Sequence, residues 1–211
     1  MTDHRPPRER SLTTAASVAL AGVSAGAAVG LGRLVVDTSL IPPVLLAVVV
    51  AHAASWGARR LGSSATLGIF VTLLAGAEAI LVTRYGGLST VGLPNGDVLA
   101  AIGTDLRDAW AVFQAEGAPA PVVDGFVVAA MAAVVAIAAA ADALAFRVGA
   151  PIEAVAPASG LFLFTTALGG PDHQITATVL FLVALLGFIL THRVARRAGS
   201  EHWLGLSLIH I

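Results

Sequence analysis

The chain of 211 residues contains no cysteine and no lysine, and only 12% of it is charged. Without cysteine, this chain has no disulfides, thiolate metal ligands or thiol nucleophiles. A soluble domain carries about 25% charged residues, so half of the usual charge is missing. A net charge of −1 offers no basic surface for nucleic acid. All twelve basic residues are arginine, which together with abundant alanine points to a GC-rich bacterial coding bias. What remains is apolar: 57% of the chain, with a mean hydropathy of +0.87. Several stretches reach or approach the roughly 17–25 residues that a helix needs to cross a bilayer. The composition therefore predicts a multi-pass integral membrane protein, with lipid as its first partner.

Six apolar segments can be read, at about 12–31, 41–58, 62–83, 126–146, 152–170 and 174–192. Lipid leaves no solvent for unpaired backbone groups, so each is expected to be a helix. With the N-terminus in the cytoplasm, Arg5, Arg8, Arg10, Arg59, Arg60, Arg147, Arg193, Arg196 and Arg197 lie inside, and Arg33, Arg84 and Arg107 outside. Nine against three satisfies the positive-inside rule. The fifth segment carries Glu153 and Pro157, but losing it would reduce the bias to six against six, so charge argues that it spans. The expected fold is an all-α integral membrane protein, a six-helix transmembrane bundle with one extracytoplasmic amphipathic helix. Residues 1–11 form a cytoplasmic tail, 12–192 the membrane domain, and 193–205 a second cytoplasmic tail.

The amphipathic helix belongs to the long loop 84–125. There Val98, Ile102, Leu106, Ala109, Trp110 and Phe113 recur at helical spacing. Asn95 or Asp97 can cap its start. Arg107 is its sole basic residue, unlike the Lys/Arg-rich polar face of a lipid-binding helix, so docking onto protein is expected. Gly22, Gly26 and Gly30 form a tandem GxxxG in the first segment, a smooth face against which another helix can pack closely. It serves either internal packing, with the alanine-rich fourth segment a candidate to lie against it, or a homodimer.

One stretch, "AAADALAFRVGAPIEAVAPASGLF" (139–162), breaks the apolar pattern with Asp142, Arg147 and Glu153. One reading is a charged clasp in which Arg147 bridges Asp142 and Glu153 and fixes the hairpin between the fourth and fifth segments. The other is a proton or ion path, since intramembrane acids often mark one, with Glu78 of the third segment as its far end. "PASGLF" (157–162) resembles the GxSG loop of rhomboid proteases, but Pro157 replaces the first glycine. Ser159 also lies level with neither His173 nor His192, and a Ser–His pair needs hydrogen-bond reach. His52 stands alone in the second segment, and no histidine has metal-site spacing. The glycine-rich stretches lack the strand and the Lys–Ser/Thr ending of a phosphate loop. No catalytic, metal or cofactor-binding residue is expected in this chain.

Five stretches, "LGRLVVDTSLIPP" (31–43), "AHAASWGARR" (51–60), "RYGGLSTVGLPNGDVLAAIGTDLRDAW" (84–110), "ADALAFRVGAPIEAVAPASGLFLF" (141–164) and "LLGFILTHRVAR" (185–196), carry a family resemblance in their order and spacing. Together they resemble the N-terminal membrane domain of bacterial, actinobacterial-type, membrane-anchored transglutaminase-like proteins. The resemblance implies a further spanning helix after residue 200 and then a papain-like Cys–His–Asp domain outside the membrane. It also implies an association with a MoxR-type ATPase system. No catalytic residue carries over, because the chain has no cysteine. "GLSLIHI" (205–211) resembles a translated sequencing adapter, so residues 206–211 are expected to be non-native and the chain a fragment. The expected function is a non-catalytic anchor for that downstream domain. The alternatives are a small transporter or channel using Glu78, Asp142 and Glu153, and then a rhomboid-type protease.

Overall fold

The computed structural model describes residues 7–88 and 94–207, with side chains over 11–88 and 94–197. The described residues form seven α-helices and no strand: α1 (Pro7–Leu31), α2 (Ile41–Arg60), α3 (Ala65–Arg84), α4 (Gly96–Glu116), α5 (Asp124–Asp142), α6 (Pro151–Leu168) and α7 (Gln174–Ser207). All but α4 are long and apolar enough to cross a membrane. These six match the expected segments, including the doubtful fifth, which is α6 despite Pro157 within it. The helix α7 departs from the expected boundary. Its backbone stays helical through Ser207 instead of ending at a tail from 193. Most of the N-terminal tail (residues 1–6) and the end of the adapter-like segment (208–211) lie outside the described residues.

Local chemistry sets several helix ends. Ser64 accepts a hydrogen bond from Leu67 N and starts α3, and Pro42 and Pro43 occupy the first turn of α2, where a missing N–H matters least. Beyond Asp142, α5 widens into a π-helical turn over Ala143–Val148. Gly149 then closes it at φ 80°, a left-handed conformation that favours glycine, before Pro151 opens α6.

The bundle has two cores that share α1 and α5. Ala28, Val44, Val48, Ile80, Val98 and Met131 join α1 through α5 in one. Leu20, Ala141, Ala158, Phe181 and Phe188 join α1, α5, α6 and α7 in the other, where Phe162 stacks on Phe181 at 4.3 Å. The glycine stripe of α1 is taken up inside the chain. A Cβ added at Gly26 would lie 3.2 Å from Phe181 Cα, and one at Gly30 would lie 2.6 Å from Thr165 Oγ1. A Cβ at Gly22 would sit 3.7 Å from Ala184 Cβ. The expectation that the alanine-rich segment packs on this stripe is therefore corrected: α7 and α6 cover it. The alanine-rich helix, α5, instead packs against α2, α3, α4 and α6 as well as α1. Gly76 of α3, having no side chain, leaves the space that Val135 of α5 occupies.

Helix α4 docks on the bundle, as expected, but on a rotated face. Asn95 caps it by accepting from Val98 N at 2.9 Å. Val98 and Ala109 are buried, yet Leu106 and Trp110 point outward, Trp110 at 60% exposure. The rotation turns Asp105 inward, where its Oδ2 accepts a 2.6 Å hydrogen bond from the Tyr85 hydroxyl. Gly125, at the start of α5, lies directly under the Asp105 carbonyl and Ala109, a space that any Cβ would fill.

Candidate functional site

Several buried polar side chains, among them Ser17, Ser55, Asp142 and His192, collect at the arginine-rich end of the bundle, around Asp142. Asp142 is 4% exposed and forms an ion pair with Arg59 of α2, while Arg147 Nε approaches its other oxygen at 3.9 Å. In a regular helix, residues five apart point about 140° away from each other. The wider i→i+5 turn after Asp142 lets Arg147 swing back towards it. Arg147 also donates to the Ser63 carbonyl at 2.6 Å and approaches Ser63 Oγ at 3.2 Å, which fastens the α2–α3 connection to α5. Gly68 provides the room, because the Arg147 guanidinium occupies the space where a Cβ would be. Arg59 donates to Ser17 Oγ of α1 at 2.6 Å and lies 4.2 Å from the centre of the Phe146 ring. One carboxylate and two guanidinium groups thus hold α1, α2, α3 and α5 together. A planar guanidinium with several donors suits such multiple contacts.

The expected clasp is therefore corrected in its membership. Glu153 is exposed and has no ion pair with any described residue; its place beside Asp142 is taken by Arg59. Glu153 sits in the first turn of α6, where a carboxylate meets the positive end of the helix dipole. Sequence reading missed Arg59 because it was counted only as a topology marker. A signal was present: His52, Ser55 and Arg59 recur at helical spacing and make one polar stripe on α2. Each member finds a partner. His52 Nε2 is 2.9 Å from Ser24 Oγ, and Ser55 Oγ is 2.6 Å from Thr72 Oγ1, which in turn donates to the Gly68 carbonyl.

The remaining candidates are scattered. Glu78 is exposed on α3, ten residues or about 15 Å of helix from the Gly68 level of the cluster. Ser159 Oγ donates to the Val155 carbonyl of its own helix at 2.9 Å. His173 is exposed near the start of α7. His192 is buried beside Phe146 and Phe188 at the arginine-rich end, and neither ring nitrogen has a hydrogen-bond partner among the described residues. Ser159 therefore bonds to its own helix and not to His192; the Ser–His contact among the described residues is the one between Ser24 and His52. Among the described residues, no three His, Asp or Glu gather as metal ligands.

The opposite end is braced by its connections. Arg33 donates to the Gly170 carbonyl, linking the α1–α2 and α6–α7 connections. Val35 and Ala120 form a single parallel bridge, with Val36 N to Ala120 O at 3.0 Å and Ala120 N to Leu34 O at 2.9 Å. Arg84 pairs with Asp124. Burial, reinforced by the hydrogen bond to the Asp105 carboxylate, pushes the Tyr85 phenol well above its ordinary range. Asp37 caps the turn Thr38–Leu40, and its hydrogen bond from Ser39 holds its carboxyl below the usual value. Four of the five stretches that carry the family resemblance (31–43, 51–60, 84–110 and 141–164) contribute to one or other of these two assemblies. In comparisons with known proteins, no family model, no curated protein and no solved structure matches the chain.

Proposed function

We propose that this is the non-catalytic membrane anchor of a transglutaminase-like protein, in a bacterial cytoplasmic membrane. The N-terminus faces the cytoplasm, and α4 lies on the outer side. Its role is to hold a downstream catalytic domain at the outer surface. The observation that carries this reading is the braced outer end. Four connections and α4 are tied together by Arg33–Gly170, Val35–Ala120, Tyr85–Asp105 and Arg84–Asp124. Leu99, Leu106 and Trp110 of α4 face away from the bundle on that side. A rigid end with an outward apolar stripe suits a platform for a second domain. At the inner end, Asp142 is engaged by two arginines in holding helices together, in keeping with a structural role.

The test is a long sequencing read across the gene beyond codon 205. A frame that continues into a seventh apolar segment and then a Cys–His–Asp domain supports the anchor. A stop codon directly after Ile211 refutes it.

A second reading, a small proton- or ion-coupled transporter, is favoured by one observation. The polar stripe Arg59, Ser55, His52 runs about 10 Å along α2 into the core. In proteoliposomes it predicts a pH-driven flux that His52→Ala or Asp142→Asn abolishes. A flux unchanged in both variants would leave that reading without support.

A further inference from the structure

At the arginine-rich end, α1 and the end of α2 leave an open groove of about 590 Å³, lined by Ser11, Thr14, Ala15, Val18, Ala19 and Arg60. The α1 positions fall at spacings of 3, 4, 7 and 8 from Ser11 and form one stripe along the helix. The stripe changes character with depth. Ser11 and Thr14 lie at the mouth with Arg60, and Ala15, Val18 and Ala19 continue inwards, Val18 at 68% exposure. At 1.5 Å per residue, Val18 sits about 10 Å below Ser11. A polar mouth above an apolar floor matches a phospholipid, with its headgroup at the interface and its chain below.

Arg60 gives the groove its charge. The Arg59 and Arg147 guanidinium groups are engaged with Asp142, and Arg84 is paired with Asp124. Arg60 is exposed and has no carboxylate partner among the described residues. It is held ready by its neighbours: Nη2 donates to Thr14 Oγ1 at 3.0 Å, and the guanidinium lies 5.0 Å from the centre of the Trp56 ring. Both contacts leave donors of its planar fork open to a phosphate. Trp56 beside it is 39% exposed, and tryptophan at this depth suits the headgroup region.

We propose that this groove binds one anionic phospholipid of the inner leaflet, with its phosphate on Arg60 and Ser11 and an acyl chain on Ala15, Val18 and Ala19. The apolar floor favours a lipid over a free phosphate ion, which would use only the mouth. The inference rests on the reading that these helices cross the bilayer with the arginine-rich end inside. Surface-bound basic residues contribute about 1 kcal/mol each towards anionic lipid, close to fivefold in affinity.

The test is native mass spectrometry of the detergent-purified chain titrated with phosphatidylglycerol or phosphatidylcholine. The wild type is expected to prefer phosphatidylglycerol by about fivefold or more, and Arg60→Gln should remove that preference. Ala15→Phe, which fills the floor and leaves Arg60 in place, should weaken binding of both lipids. Arg107→Gln, the same loss of charge on exposed α4, should change neither. Millimolar inorganic phosphate should fail to displace the lipid. Undiminished phosphatidylglycerol preference in Arg60→Gln overturns the proposal, as does unchanged binding in Ala15→Phe or displacement by phosphate alone. If Arg60→Gln elutes as aggregate, the Ala15→Phe and phosphate arms decide the matter. Labelling of single cysteines from either side of the membrane reports the topology separately, so a wrong topology and an empty groove give different results.

Discussion

Replacing Asp142 by Asn keeps the shape of the side chain and removes the charge between two guanidinium groups. The Asp142, Arg59 and Arg147 side chains are only 6%, 14% and 11% exposed, so water replaces little of what is lost. Removing one partner of a buried ion pair costs about 3–5 kcal/mol. Arg147 keeps Ser63, and Arg59 keeps Ser17 and the Phe146 ring, so the loss should fall near the lower end, about 3 kcal/mol. In a chain of this size, each kcal/mol moves the melting temperature by about 2–4 °C, giving a fall of roughly 6–12 °C. The assay is the fraction of detergent-purified protein that stays monodisperse after heating. Glu153→Gln is the control, because Glu153 is exposed and lacks an ion-pair partner among the described residues; its effect should stay within about 0.5 kcal/mol. Adding Arg59→Gln to Asp142→Asn should cost less than the sum of the two single changes, with a coupling of about 1–3 kcal/mol. Equal losses in Asp142→Asn and Glu153→Gln, or additive losses in the double variant, would refute the reasoning.

Helix spacing and topology give further tests. Gly26→Leu, which overfills the α1–α7 contact at Phe181, should destabilise by about 1–3 kcal/mol. Gly57→Ala in α2 meets nothing within 4 Å and should be neutral or up to about 1 kcal/mol stabilising; melting curves that reverse this order would contradict the packing. Tyr85→Phe should cost about 1 kcal/mol through the lost bond to Asp105. The native phenol is held protonated while the unfolded one ionises near pH 10, so wild-type stability should fall as pH rises past about 10. A pH titration of melting should show that slope in the wild type and its loss in Tyr85→Phe; an unchanged slope would exclude Tyr85 as the source. Because the chain has no cysteine, single cysteines report sidedness cleanly. In intact cells an impermeant reagent should label Gln114→Cys on α4 and spare Leu61→Cys between α2 and α3, and the reverse pattern would invert the topology.

The helical segments and their expected orientation were legible because each depends on a quantity that runs along the chain. Length of apolar sequence sets a span, and the arginine distribution sets the expected side. Local chemistry also fixed the cap at Asn95, whose side chain reaches an N–H three residues away. The face of α4 was less legible. Its large apolar residues, from Val112 round to Trp110, cover nearly half of the helix surface, and within that broad face the tertiary partner Tyr85 selected the edge that carries Asp105.

From the sequence alone, Asp142 had two nearby charges, Arg147 and Glu153, and proximity along the chain suggested that all three would meet. In the folded bundle the α6 register leaves Glu153 exposed, while α2 crosses α5 where Arg59 can reach Asp142. The glycine stripe of α1 likewise announced a close helix contact without naming the helix. Sequence determined that this chain forms six apolar helices, an amphipathic one and a charged turn, because hydrophobicity and capping act over a few residues. Only the tertiary structure decided which helix fills each groove and which arginine reaches the buried acid. Those choices depend on backbone approach distances and on side chains meeting from helices remote in the chain.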